Sequence, residues 1–212
     1  MILDCKLPPV LHRYMDFPEL LYCLENNLII LGNPLYWEDK NDTFMIGQYV
    51  EKNNLNNLFV SCFTSCGDAY HFWKIYAQKQ TGICVTYDTL KILDAIKKDP
   101  QSSEFRFEKV HYETFVNLSK REARIEEYPF IKRKAFIAED EYRLIFESKN
   151  QILYRTLKTN EAILEIILSP SIRDIYLKEY LALIRSKVNL PSNKIRKSTI
   201  LESNRWQNLM RY

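Results

Sequence analysis

The segment Glu139-Asp140-Glu141-Tyr142-Arg143-Leu144-Ile145-Phe146 places carboxylates and a guanidinium beside a run of apolar residues. On a strand, alternate side chains share a face, so Tyr142, Leu144 and Phe146 fall on one side and Glu139, Glu141 and Arg143 on the other. Carboxylates at this spacing can move a proton or stabilise a developing positive charge, and a neighbouring arginine can hold an anion. The plainer alternative is a solvated outer face carrying an exposed ion pair of little energetic worth.

Other residues with chemical potential lie upstream. In Val10–Met15, Leu11, Arg13 and Met15 point one way and Val10, His12 and Tyr14 the other, so only one of His12 and Arg13 can enter a given cleft. Singly, His12 reads as a satisfied core or edge histidine and Arg13 as a surface residue. Ser61 sits in the apolar run Leu58–Thr64. Trp73 and Tyr76 are spaced to share a helical face with Ala77, a grouping more often core than ligand platform. Asn41 and Asp42, with Trp37 nearby, are candidates for a cleft rim, although Asp42 alone most simply caps a turn. The basic run Lys132-Arg133-Lys134 could guide an anionic ligand, although such short runs are usually solvated.

Several chemistries are excluded. The four glycines cannot make a phosphate-cradling loop, and no GxSxG, HExxH or CxxC motif occurs. Five cysteines, an odd number, do not form a disulfide framework. Cys62 and Cys66 lack a second Cys/His pair, since the only histidines are His12, His71 and His111. No metal site is therefore expected, and all five thiols should be reduced, with Cys62 and Cys84 buried on neighbouring strands. Met1–Val10 lacks an apolar signal core, and no stretch is long enough to span a bilayer, which makes cytoplasm the default and a membrane partner unexpected. The net charge of +3 is too small to make a general nucleic-acid or membrane binder.

The elements that must position these residues follow from periodicity. Hydrophobic residues make up 46% and aromatics 13% of the 212 residues, enough for a substantial core. Strands are expected at 10–15, 28–31, 58–64, 83–87, 105–112, 141–147 and, more weakly, 151–156. Residues 162–168 read as a strand or short helix. Helices are expected at 17–26 with Asp16 as N-cap, and at 69–78, 90–98, 114–127 and 171–186. The last helix would present Ile172, Ile175, Tyr176, Tyr180, Leu183 and Ile184 to the core. Residues 37–43 read as a polar loop. The mixture lacks a βαβ rhythm, so the fold class is α+β, with mainly antiparallel sheets and flanking helices. One domain is expected over 1–190, with a C-terminal tail over 191–212 holding a short strand.

Leu11-His12-Arg13-Tyr14, Asn41-Asp42-Thr43-Phe44, Cys62-Phe63-Thr64, Trp73 with Tyr76-Ala77, Gly82-Ile83-Cys84, and Lys134 with Glu139-x-Glu141-x-Arg143 occur in that order. This series resembles the bacterial domain-of-unknown-function family 2971 over about 11–170. The sequence departs from that pattern at Thr43, where the family usually has proline, and at Phe136, where tryptophan is common.

The order of motifs also resembles the ADP-ribosyltransferase fold, which opens with a strand carrying His or Arg, continues with a Ser/Thr strand and an aromatic-bearing helix, and ends with a Glu-bearing strand. That resemblance implies a NAD-dependent transferase, used in bacteria as a toxin or phage-defence effector, acting on a nucleic-acid or protein acceptor. Glu141 would face the charge that develops on ribose as nicotinamide leaves, and Glu139 would orient the acceptor. Arg13 or His12, Ser61, Trp73 and Tyr76 would hold NAD, and Asn41, Asp42 and Arg143 would line the rest of the cleft. Two other classes fit the same residues: a non-catalytic nucleotide-binding or interaction module, and a metal-independent nuclease. The enzyme reading expects Glu141 within reach of Arg13 or His12.

Overall fold

The computed structural model describes residues 7–77, 80–159 and 161–209. In chain order the elements are β1 (Val10–Asp16), α1 (Phe17–Asn26), β2 (Leu28–Leu31), α2 (Lys40–Lys52), β3 (Asn57–Thr64), α3 (Tyr70–Ile75), β4 (Gly82–Asp88), α4 (Thr89–Lys98) and β5 (Phe105–Lys109). They continue with β6 (His111–Glu113), α5 (Phe115–Lys120), β7 (Ile131–Arg133), β8 (Glu141–Ser148), β9 (Arg155–Lys158), β10 (Ile163–Leu168), α6 (Asp174–Lys187), β11 (Ile195–Lys197) and α7 (Asn204–Leu209).

Seven strands form the main sheet in the order β11-β10-β4-β1-β3-β8-β5. Every pairing is antiparallel except β10 with β11, so the fold is α+β with a mainly antiparallel sheet. Two further two-stranded sheets, β2-β9 and β6-β7, lie outside it. Because directly paired residues share a face, the registers divide the main sheet cleanly. One face carries Leu11, Met15, Phe59, Phe63, Ile83, Val85, Tyr87, Leu144, Phe146, Ile166 and Leu168, and packs with Leu20 and Leu24 of α1, Ile92 and Ile96 of α4 and Ile184 of α6 as the principal core. The second face meets α2 and the 3-10 turn Ile125–Phe130 through Ile46, Tyr49, Val60, Phe130 and Ile145. Further along it, Trp73 and Ala77 pack on Cys84 and Ile167.

Local chemistry explains most boundaries. Asp16 caps α1, accepting from the Glu19 backbone N–H, with Pro18 in the first turn and Asn27 in the left-handed region (φ 52°) closing it. Asp88 caps α4 in the same manner.

Several expected elements are corrected. Residues 40–43 do not continue a loop but open α2, because Asp39 accepts from the Asn41 and Asp42 backbone N–H groups and nucleates a helix. The expected helix at 114–127 is limited to α5 and the separate 3-10 turn, since Pro129 and Arg121–Arg124 interrupt it. The expected strand at 105–112 breaks at Val110, whose backbone N–H bonds Glu141 O, and β6 then leaves for another sheet. The weak strand at 151–156 is instead β9, and 162–168 resolves as a strand. In α3, Phe72 and Trp73 are buried and Ile75 is exposed; in α6, Ile175, Tyr176 and Leu183 are exposed where core positions were expected. The tail supplies β11, which extends the sheet alongside β10.

Cys23, Cys62, Cys66 and Cys84 are free thiols, and Cys5 lies outside the described residues. Cys84 is fully buried and Cys62 half-buried, but the two are not on neighbouring strands: β1 runs between β3 and β4. Among the described residues no helix is long and apolar enough to cross a membrane.

Candidate functional site

Arg143 organises the second face of the sheet. Strand β8 points it away from the principal core, and it is wholly buried. Its Nε donates to Glu141 Oε1 at 2.8 Å and its Nη2 to Glu141 Oε2 at 3.1 Å. Nη1 donates to Asp42 Oδ1 at 2.8 Å and to the Pro129 carbonyl at 2.7 Å, and Nη2 also donates to Asp42 Oδ2 at 2.5 Å. These five bonds use all the guanidinium's donors. The Trp37 ring lies 5.1 Å from Cζ and covers one face of the group.

Lys132, from β7, links this assembly to Glu139. Its Nζ lies 2.5 Å from Glu139 Oε2, 3.1 Å from Glu141 Oε2 and 3.9 Å from Asp42 Oδ2, with the Phe136 ring centred 5.0 Å away. Tyr76 Oη donates a short hydrogen bond to the other Glu139 oxygen. Glu139 is not on β8 but ends a 3-10 turn; Asp140 then adopts a left-handed conformation (φ 39°) and the strand begins at Glu141. The end of β3 fixes this corner: Thr64 Oγ1 donates to Glu139 O at 2.7 Å, and Ser65 binds Asp140 through both backbone and side chain. The Glu141 backbone N–H is held by Tyr112 Oη at 2.9 Å.

Three carboxylates thus face two cations in a buried space. Burial pushes the Asp42 and Glu139 carboxyls up, against the pull of Arg143 and Lys132 respectively. For Glu141 burial acts in the same direction but is outweighed by Arg143 and Lys132, which bring it down to about 2. Burial raises the Tyr76 hydroxyl, as does its bond to Glu139. Burial likewise raises the Cys62 thiol, which sits opposite Arg143 across β3 and β8. Glu141 is therefore held as an anion, while burial opposes the ionisation of Glu139 and Asp42.

The expected residues divide between the two faces. The pairings Glu165–Thr86, Thr86–His12, His12–Thr64 and Thr64–Glu141 form one polar row across β10, β4, β1, β3 and β8. His12 therefore shares Glu141's face, two strands away, which is roughly 10 Å between backbones. Its Nδ1 lies 3.1 Å from Thr86 Oγ1, and burial lowers its pKa despite Glu165 and Asp68. Arg13 is on the opposite face, bound to Glu19 at 2.6 Å. Its expected approach to Glu141 fails, because neighbouring residues on a strand point to opposite sides. Ser61 fails for the same reason: it pairs with Leu144 and is buried on the principal-core face. Trp73 is on the site's face but inside the packing, with Nε1 donating to Asp68 and its ring edge-on to Tyr14. Asn41 is exposed on the first turn of α2, outside the cluster. The notion of Asp42 as a turn cap is corrected, since Asp39 caps and Asp42 binds Arg143. The exposed ion pair weighed for Glu141 and Arg143 is a buried one.

Sequence reasoning missed Lys132, Tyr112 and Thr64. Lys132 lies in a basic run whose other members, Arg133 and Lys134, are exposed, and only the β6-β7 pairing turns it inward.

Outside this cluster a cleft of about 430 Å³ opens between α2, the start of α5 and β7, with Asp42 and Lys132 in its wall. No group of side chains among the described residues is arranged to hold a metal ion.

Residues 72–144 match the model of a protein family of unknown function (DUF2971). The matched third of the chain holds Tyr76, Lys132, Glu139, Glu141 and Arg143, and so every charged member of the cluster except Asp42. Comparison with curated proteins and with solved structures gave no match.

Proposed function

We propose that this protein is a NAD-dependent, ADP-ribosyltransferase-like enzyme whose reacting carboxylate is Glu139. The observation that carries the reading is the row His12–Thr64–Glu141 on adjacent strands, which sets a histidine strand, a threonine strand and a glutamate strand side by side. Glu141 has both oxygens engaged by Arg143 and one also by Lys132, so it acts as a positioning anion. Glu139 lies at the edge of the cluster with one hydrogen bond to each oxygen. A carboxylate has about four acceptor sites, which leaves room for a ribose hydroxyl. Cleavage of the nicotinamide–ribose bond would place positive charge on ribose, and ionised Glu139 would stabilise it. His12, not Arg13, is then the basic residue of the opening strand that serves the site.

A binding module without turnover is the second reading, favoured by the saturation of Glu141. The nuclease reading loses support, because Arg143 has no donor left for a phosphate. Calorimetry with NAD, ADP-ribose and a short RNA separates the three. The enzyme reading expects NAD to bind with loss of nicotinamide over time. Stable ADP-ribose binding without NAD turnover would favour the module, and RNA binding alone would end both nucleotide readings.

A further inference from the structure

The cleft between α2, α5 and β7 touches the charged cluster only at Asp42 and Lys132, and the rest of its wall is built from groups that the cluster does not use. Phe44 of α2 and Phe115 of α5 both line it, and they are 65% and 74% exposed, which is unusual for phenylalanine. Arg133 lies with Cζ 4.9 Å from the Phe115 ring centre.

The cleft's charges look balanced until their partners are counted. Asp39 is occupied by the α2 backbone, Asp42 by Arg143, and Glu113 by Arg121 at 3.1 Å. Lys132 is held by Glu139 and Glu141. The remaining charges are Lys40 and Arg133, and among the described residues neither has an acidic partner. Lys40 Nζ donates only to the Trp37 carbonyl, at 3.0 Å. The uncommitted chemistry of the cleft is thus aromatic and cationic.

We infer that this cleft binds a nucleoside monophosphate unit, with the base stacked on Phe115 and the phosphate taken by Arg133 and Lys40. A flat ring answers the exposed phenyl faces, and a phosphate answers the two free cations. The volume of about 430 Å³ lies within the range of small-ligand pockets. The site goes beyond the reading of Glu139 and does not require that any bond be broken there.

Equilibrium binding of adenosine monophosphate to the full chain tests this, with adenosine, inorganic phosphate and a short oligonucleotide measured alongside. The nucleotide should bind more tightly than adenosine or phosphate. Phe115→Ala and Arg133→Ala should each weaken it roughly tenfold or more, as loss of a base stack or a phosphate contact does. Both side chains are exposed, so both variants should melt like the parent. Nucleotide binding that is intact while NAD is not turned over sinks only the proposed enzyme. Absence of nucleotide binding, binding of the oligonucleotide alone, or parent-like affinity in either Phe115→Ala or Arg133→Ala would overturn the inference.

Discussion

Arg143 shows how a single residue can set both stability and site geometry. A buried guanidinium with five bonds ties α2, β8 and the turn before β7 together through Asp42, Glu141 and the Pro129 carbonyl. Arg143→Ala leaves Asp42 and Glu141 buried without their partner, which typically costs about 3–5 kcal/mol, and a large drop in Tm is the expected result. Arg143→Lys should recover little, because an ammonium cannot reproduce the planar fork.

The carboxylates divide by pH. Glu141 is depressed from the ordinary glutamate value of 4.5 to about 2, so its stabilisation is present above about 4.5 and is lost as pH falls toward 2. Glu139 is raised, so its ionisation opposes folding as pH rises through its folded-state value. Thermal melting at neutral pH should therefore show Glu141→Gln well below the parent and Glu139→Gln equal to it or above. A Glu139→Gln protein as unstable as Glu141→Gln would contradict the separate roles given to the two residues.

At the scale of elements, positions are set by close approaches. Gly82 opens β4 where the chain returns from α3, and a Cβ there would lie 2.4 Å from Ala77 Cβ. Gly82→Ala should destabilise by about 1–3 kcal/mol, as overpacking does, and Ala77→Gly should restore part of the loss. Such a contact is invisible in sequence, as are the ends of α3. By contrast α1 and α4 were legible, because Asp16 and Asp88 are aspartates placed directly before apolar periodicity. Helix α2 was not, although its cap is of the same kind. Its first turn, Lys40-Asn41-Asp42-Thr43, is polar, and its one charged buried residue, Asp42, is explained only by a partner 101 positions away.

At the scale of the molecule, the α+β class with its mainly antiparallel sheet followed from strands and helices that mix without a βαβ rhythm. The alternation within each strand followed from the strand period, His12 turned away from Leu11 in β1 and Glu141 away from Leu144 in β8. What alternation could not supply was strand order. Only that order, with the registers His12–Thr64 and Thr64–Glu141, puts His12 rather than Arg13 on Glu141's face, and only the separate β6-β7 pair turns Lys132 inward. The Arg143–Asp42 contact, the inward Lys132 and the saturation of Glu141 move the test of chemistry from Glu141 to Glu139.

The most direct measurement is nicotinamide release from NAD by the parent protein and by Glu139→Gln, with thermal melting and NAD binding recorded on the same samples. Gln keeps the size and one acceptor of the side chain but removes the charge that would face ribose. The parent should release nicotinamide, and Glu139→Gln should fold and bind NAD while its rate falls on the order of a hundredfold to a thousandfold. A parent protein that neither binds nor consumes NAD, or a folded Glu139→Gln protein that turns it over at the parent rate, would contradict the enzyme reading.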